Sequence, residues 1–288
     1  MIKLRLRPAL ILLVLVFGLA GCTQEKNPAQ SGEKVGAIPA KIQQQNVAVT
    51  PPKPEPQKWV QSQGDYPFPS KGVPILYYHS ISSSPKNELR VPPEKFAEQM
   101  KYLRTAGFSV ISLDQLYDAY MGTNKLPLKP VVITFDDGYL DNYTNAFPIL
   151  KQYNYTATLF VVTDYMKPSP GMLNWEQLRE MQDYGLTIAP HTVSHVDLST
   201  LSPQRQREEI TGSRDALERN LGITPKYFCY PYGNFNSTTV NLLKDNGFIL
   251  AVSTSSGFAG KADDLYKLKR VYVNGLKDMS EFQRKLGN

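Results

Sequence analysis

The chain has 288 residues, 41% of them apolar and 20% charged, with 32 Lys and Arg against 26 Asp and Glu for a formal charge of +6. Such proportions exclude a chain that is disordered throughout, and two cysteines exclude a disulfide-stapled scaffold. The excess positive charge sits partly in the first residues and forms no basic stripe, so a nucleic acid is not an expected partner.

In chain order, residues 1–21 read as a signal peptide: Lys3, Arg5 and Arg7 precede an apolar run from Ala9 to Ala20 that is short for a bilayer span. The run ends in Leu19-Ala20-Gly21-Cys22, which resembles the lipobox of bacterial lipoproteins and implies a lipid on Cys22. The expected location is therefore extracytoplasmic, with the chain lipid-anchored to the bacterial membrane and facing the cell wall. Residues 22–71, rich in Gln, Lys, Pro, Ser and Gly, cannot bury enough surface to fold and are expected to be a disordered tether. Such a coil reaches on the order of 35–40 Å. Trp59, Tyr66 and Phe68 are where it would begin to dock.

Residues 72–288 are expected to form one domain, a monomer. Strands are expected at Val73–His79, Ser109–Leu113, Val131–Phe135, Thr156–Thr163, Leu186–Pro190, Lys226–Tyr230, Phe248–Ser253 and Lys267–Val273. Pro92-Pro93 open a helix stopped by Gly107, and Asn174 caps one that ends near Gly185. Ser202-Pro203 open a third, ending near Gly222, and Ser237 caps a fourth, ending near Gly247. Alternating strands and helices imply a parallel sheet of the α/β class, and seven or eight repeats suggest a barrel.

Two stretches carry chemistry. Thr134-Phe135-Asp136-Asp137-Gly138-Tyr139 puts two carboxylates at the mouth of a buried strand, where Gly138 lets the chain turn. One could hold a cation while the other handles a proton. His191 and His195 stand four residues apart after another strand, the spacing at which two imidazoles meet one cation. An Asp and two His leave coordination positions open, as catalytic rather than structural sites do. His79, Asp136, Asp137, His191 and Tyr232 all fall at C-terminal strand ends, which share one face of a β/α barrel. Cys229, in an apolar strand, is expected to be a buried, inert thiol.

Together with Tyr230-Pro231-Tyr232-Gly233, these motifs resemble the polysaccharide deacetylases of carbohydrate esterase family 4, the NodB homology domain, over roughly Val131 to Val252. Upstream, Val73-Pro74-Ile75-Leu76-Tyr77-Tyr78-His79-Ser80 is similar to the branch acting on poly-N-acetylglucosamine, which carries a histidine there. The resemblance implies a distorted, incomplete (β/α)7–8 barrel and hydrolysis of N-acetyl groups on an N-acetylhexosamine polymer, peptidoglycan or matrix. It implies Zn²⁺, or another divalent ion such as Co²⁺ or Ni²⁺, on Asp137, His191 and His195. Asp136 would be the general base, and the backbone N–H of Tyr232 would help to hold the oxyanion.

The chain departs from the common family pattern twice. Cys229 stands where the family has an arginine two residues before the proline, and Leu268-Lys269-Arg270 lacks the histidine of the usual late Leu-x-His. His79 is then the expected general acid, and Arg270 the candidate for the missing cation beside Asp136. The two departures also leave open a wall-binding lipoprotein that keeps the pocket without turnover.

Overall fold

The computed structural model describes residues 66–167 and 169–287; the lipobox with Cys22, Trp59 and the rest of the expected tether up to residue 65 lie outside them. The described residues form eight strands in chain order: β1 (Ile75–Tyr78), β2 (Ser109–Val110), β3 (Pro130–Asp137), β4 (Thr158–Val161), β5 (Thr187–Pro190), β6 (Tyr227–Cys229), β7 (Leu250–Ser256) and β8 (Leu268–Tyr272). Among the described residues seven α-helices lie among and after them: α1 (Pro93–Thr105), α2 (Leu113–Met121), α3 (Phe147–Tyr153), α4 (Trp175–Tyr184), α5 (Pro203–Leu221), α6 (Ser237–Asp245) and α7 (Met279–Lys285). The strands pair in the order β5-β4-β3-β1-β8-β7-β6, all parallel, with β2 beside the start of β3. The result is a nearly closed, distorted β/α barrel with β5 and β6 at the two ends of the ladder.

Strand alternation decides what faces the inside. Ile75, Val132, Ala189, Tyr227, Cys229, Leu250, Val252 and Leu268 pack together in the barrel interior. Their neighbours Leu76, Tyr78, Ile133, Phe135, Ile188 and Val271 pack outward in the layer shared with the helices. Burial on both faces explains the unbroken apolar run of β3, since each such side chain contributes about 1.5–3 kcal/mol. The same parity turns position 136 of β3, 270 of β8 and 229 of β6 inward.

Helix ends follow side-chain chemistry. Asn174 and Gln177 form a reciprocal capping box at α4, which Gly185 closes in a left-handed turn; Ser202 caps α5 and Gly222 ends it. Asn236, not Ser237, caps α6, because its side chain accepts the N–H of Thr239. The expected strand from Ser109 to Leu113 stops at Val110, because Ser112 and Gln115 form a capping box that starts α2. Tyr66 exchanges two backbone hydrogen bonds with Leu126, and the Phe68 ring lies 4.9 Å from that of Tyr120. The described end of the tether segment thus lies against the domain.

Candidate active site

Asp136 ends the inward row of β3 and is buried. Arg270, itself fully buried, donates from Nη1 to Asp136 Oδ1 at 2.8 Å and from Nη2 to Oδ2 at 2.7 Å. Its Nε donates to the Ser253 carbonyl at 2.9 Å, and its guanidinium lies 4.3 Å from the centre of the Tyr77 ring. Burial alone would raise the Asp136 carboxyl, but the charge and hydrogen bonds of Arg270 outweigh it and bring the pKa down to about 2. A bidentate, desolvated pair of this kind keeps the carboxylate ionised and fixed in orientation.

Asp137 could not reach the same space from a regular strand, where it would point outward beside Phe135. Its own backbone makes the turn, at φ 74°, and Gly138 continues it at φ 87°. The turn therefore begins one residue earlier than the glycine suggests. A Cβ at Gly138 would lie 2.8 Å from Met166 Cε and 3.3 Å from Val161 Cγ1, so a larger residue there would displace the end of the Met166 side chain.

Asp137 Oδ1 then faces His191 Nε2 at 3.6 Å and His195 Nε2 at 3.4 Å, and it is buried without a hydrogen-bond partner among the described residues. His191 Nδ1 lies 2.7 Å from the carbonyl oxygen of Cys229. A carbonyl can only accept, so Nδ1 carries the hydrogen and Nε2 presents its lone pair. Burial lowers the His191 pKa, which keeps the ring neutral. His195 Nδ1 lies 3.2 Å from the Tyr232 hydroxyl. Two imidazole nitrogens and an orphaned carboxylate oxygen, all within 4.8 Å of one another, fit a divalent cation.

Asp136, His191 and Cys229 form a second cluster of similar size, and it does not fit a metal. Arg270 already binds both oxygens of Asp136, and burial pushes the Cys229 thiol well above its ordinary range, so it holds its proton. Four of the five non-glycine residues with positive φ among the described residues are Asp137, Thr192, His195 and Tyr232. Each costs of order 1–3 kcal/mol, and their gathering at one place marks a site that the surrounding structure holds under strain.

A family model described as polysaccharide deacetylase matches residues 123–251. The protein YxkH of Bacillus subtilis, whose name assigns it to polysaccharide deacetylases, is 33% identical over 271 residues, 94% of each chain. The chain belongs to the polysaccharide deacetylase family. The structure of the Streptococcus pyogenes deacetylase PplD in complex with acetate superposes with a TM-score of 0.71 at 31% identity, covering 75% of this chain and 99% of that one. The poly-β-1,6-N-acetyl-D-glucosamine N-deacetylase of Staphylococcus epidermidis is 26% identical over 219 residues, 71% of this chain and 75% of that protein.

The remaining residues expected at this centre lie around it. His79 follows β1 directly, and its Nδ1 is buried without a partner among the described residues. It lies close enough to Asp136 and Asp137 to be coupled to both electrostatically. Tyr232 is 60% exposed and packs its ring 4.8 Å from that of His195. Its backbone is left-handed at φ 60°, and its carbonyl accepts from Thr254 Oγ1 at 3.1 Å.

Other contributors escaped the sequence reading. Asp141 accepts from Ile81 N–H at 2.8 Å and from Ser80 Oγ at 2.6 Å, while Asn142 Nδ2 donates to the His79 carbonyl at 2.7 Å. The loop that carries His79 is therefore fastened to the segment after Asp137. Two polar residues just beyond Thr134–Tyr139, after Leu140, were the available signal. Tyr139 stands at the rim, where burial and the Asp137 carboxylate raise its phenol to about 12. Cys229 contributes more than packing. Its Sγ lies 3.2 Å from Arg270 Nη2 and 3.7 Å from Asp136 Oδ2, and its carbonyl orients His191.

Proposed function

We propose that the protein is a divalent-metal-dependent hydrolase that removes N-acetyl groups from an N-acetylglucosamine polymer of the cell surface. The observation that carries this is the pairing of two sets at one mouth. Asp137, His191 and His195 are free to bind a cation, and Asp136 beside them is withdrawn from binding by Arg270. When bound, Zn²⁺, Co²⁺ or Ni²⁺ would supply Lewis acidity and a water acidified towards about pKa 7.

Asp136 accepts a proton from the attacking water. Both its oxygens already take one Arg270 hydrogen bond, but a carboxylate offers about four lone-pair positions, so room remains. Arg270 keeps that carboxylate ionised across the working range. The backbone N–H of Tyr232 is assigned to the developing oxyanion. His79 gives a proton to the departing amine, so that water and amide become acetate and amine with the atoms balanced. Arg270 reaches from β8 the place beside Asp136 that the common family pattern fills from the position of Cys229, which favours turnover over binding alone.

The names of relatives support the substrate class: one is a poly-β-1,6-N-acetyl-D-glucosamine N-deacetylase, and a superposable structure holds acetate. Leu19-Ala20-Gly21-Cys22 supports a lipid anchor on the outer side of the membrane. Metal-stripped full chain, incubated with β-1,6- and β-1,4-linked N-acetylglucosamine oligomers, should release acetate only after Zn²⁺, Co²⁺ or Ni²⁺ is restored. His191→Ala and His195→Ala should lose both metal and release. Metal-loaded protein that binds the oligomers and frees no acetate would make it a binding protein instead.

A further inference from the structure

The loop that carries both imidazoles leaves the ordinary backbone range twice, at Thr192 (φ 66°) and His195 (φ 58°). Neither is glycine, so the bend needs an outside hold. Its carbonyls are held from one side: Thr163 N–H donates to Thr192 O at 3.2 Å, and Asp164 N–H to Val193 O at 2.9 Å. The His195 N–H is held within the loop by Thr192 Oγ1 at 3.0 Å, and the amides of Val193 and Ser194 are held from the other side by a single side chain on α5. Glu209 Oε2 accepts the N–H of Val193 at 2.9 Å and of Ser194 at 3.0 Å, and Oε1 accepts the Ser194 hydroxyl at 2.7 Å.

Glu209 is 5% exposed, and no lysine or arginine among the described residues forms an ion pair with it. A buried carboxylate without a cation is costly unless hydrogen bonds replace its water, and here all three come from two adjacent residues of this loop. The approach of α5 depends on Gly212, three residues after Glu209: a Cβ there would lie 2.9 Å from Val193 Cγ2.

We propose that Glu209 is a positioning residue for the metal centre. Its carboxylate holds Val193 and Ser194 so that the strained bend persists and His195 is turned onto Asp137 Oδ1, and it thereby sets the affinity for the cation. The proposal rests on His191 and His195 being ligands. His191 has a separate anchor in the Cys229 carbonyl, so Glu209 acts chiefly through His195.

Competition between the full chain and a chromophoric chelator for Zn²⁺ tests this. Glu209→Ala should weaken Zn²⁺ binding about 10–100-fold, as loss of a group supporting a metal ligand does. Glu209→Gln should weaken it less, because an amide oxygen still accepts both N–H groups. In a His195→Ala background, Glu209→Ala should add much less than it costs alone, since the ligand it positions is gone. A merely structural role would lower the melting temperature of the metal-free protein and leave Zn²⁺ affinity unchanged. A folded Glu209→Ala with wild-type affinity, or an equal loss with and without His195, overturns the proposal. If Glu209→Ala does not fold, Glu209→Gln decides: several-fold weaker binding that vanishes in the His195→Ala background supports the assignment, and unchanged binding ends it. Failure of the ligand assignment shows itself separately, as wild-type Zn²⁺ affinity in His195→Ala, and takes this proposal with it.

Discussion

Replacing Arg270 by Met tests the electrostatic design of the centre most directly. The variant keeps the apolar stem over Tyr77 and removes the one cation among the described residues that hydrogen-bonds the buried Asp136 carboxylate. In the native protein the charge and hydrogen bonds of Arg270 outweigh burial and hold the Asp136 carboxyl at about 2, below its ordinary value of 3.8. A lowered folded pKa stabilises the protein above the unfolded value, and that stability is lost as pH falls through 4 towards 2. The difference is worth roughly 2–3 kcal/mol at neutral pH. Without Arg270, burial is opposed only by the smaller pull of His191 and His79 and raises the carboxyl, so the sign reverses: the folded variant carries a cost at neutral pH that protonation relieves. Breaking a buried pair by removing one partner costs about 3–5 kcal/mol. Urea unfolding of metal-free protein should show a deficit of that size at pH 7, shrinking by about 2 kcal/mol or more at pH 3. In the metal-loaded enzyme the acidic limb of the pH–rate profile should move upward. A deficit that is the same at pH 3 and pH 7, with an unmoved acidic limb, would refute the idea that Arg270 holds Asp136 ionised.

Asp136→Asn should keep bound Zn²⁺, measured by elemental analysis, and lose acetate release, whereas Asp137→Asn should lose the metal. The reverse pattern would exchange their roles. His79→Ala should lower turnover about 10²–10⁴-fold with metal content intact and should flatten the basic limb of the pH profile; loss of the metal would make His79 a ligand. Cys22→Ser should abolish diacylglycerol attachment, read by mass spectrometry of the N-terminal peptide. An unmodified Cys22 in membrane-extracted wild type would end the anchoring proposal.

The α/β barrel was legible because period and punctuation agree. Val131–Phe135 is too apolar for a one-faced strand, and Asn174 and Gly185 bracket α4 with residues chosen by capping geometry. Less legible were α2, α3 and α7. Ser112 and Gln115 signal the start of α2, but the preceding β-branched residues read as a strand running through it. Asp136, Asp137, His191 and His195 could be found because their residue types in their spacing have few other uses. Glu209, Asp141 and Asn142 could not be found that way. Each acts by hydrogen-bonding backbone distant in sequence, and nothing in a lone Glu on a polar helix foretells which loop it will meet. The tight turn at Asp137 was also hidden, because a left-handed aspartate carries no mark in sequence when a glycine follows it.

The ends of the parallel ladder, β5 and β6, meet through the ring of His191, fixed to β5 by the chain and to Cys229 of β6 by its Nδ1 hydrogen. One imidazole therefore serves as the clasp of the cylinder and, in the proposed function, as a ligand of the cation. A cation on Nε2 draws electron density from the ring and makes the Nδ1 hydrogen a stronger donor, so loading the centre should fasten the clasp. Breathing of the wall at β6 is then coupled to occupancy. Backbone amides of Tyr227–Cys229 should exchange with deuterated solvent more slowly when Zn²⁺ is bound than after chelation, while those of β1, deep in the ladder between β3 and β8, change little.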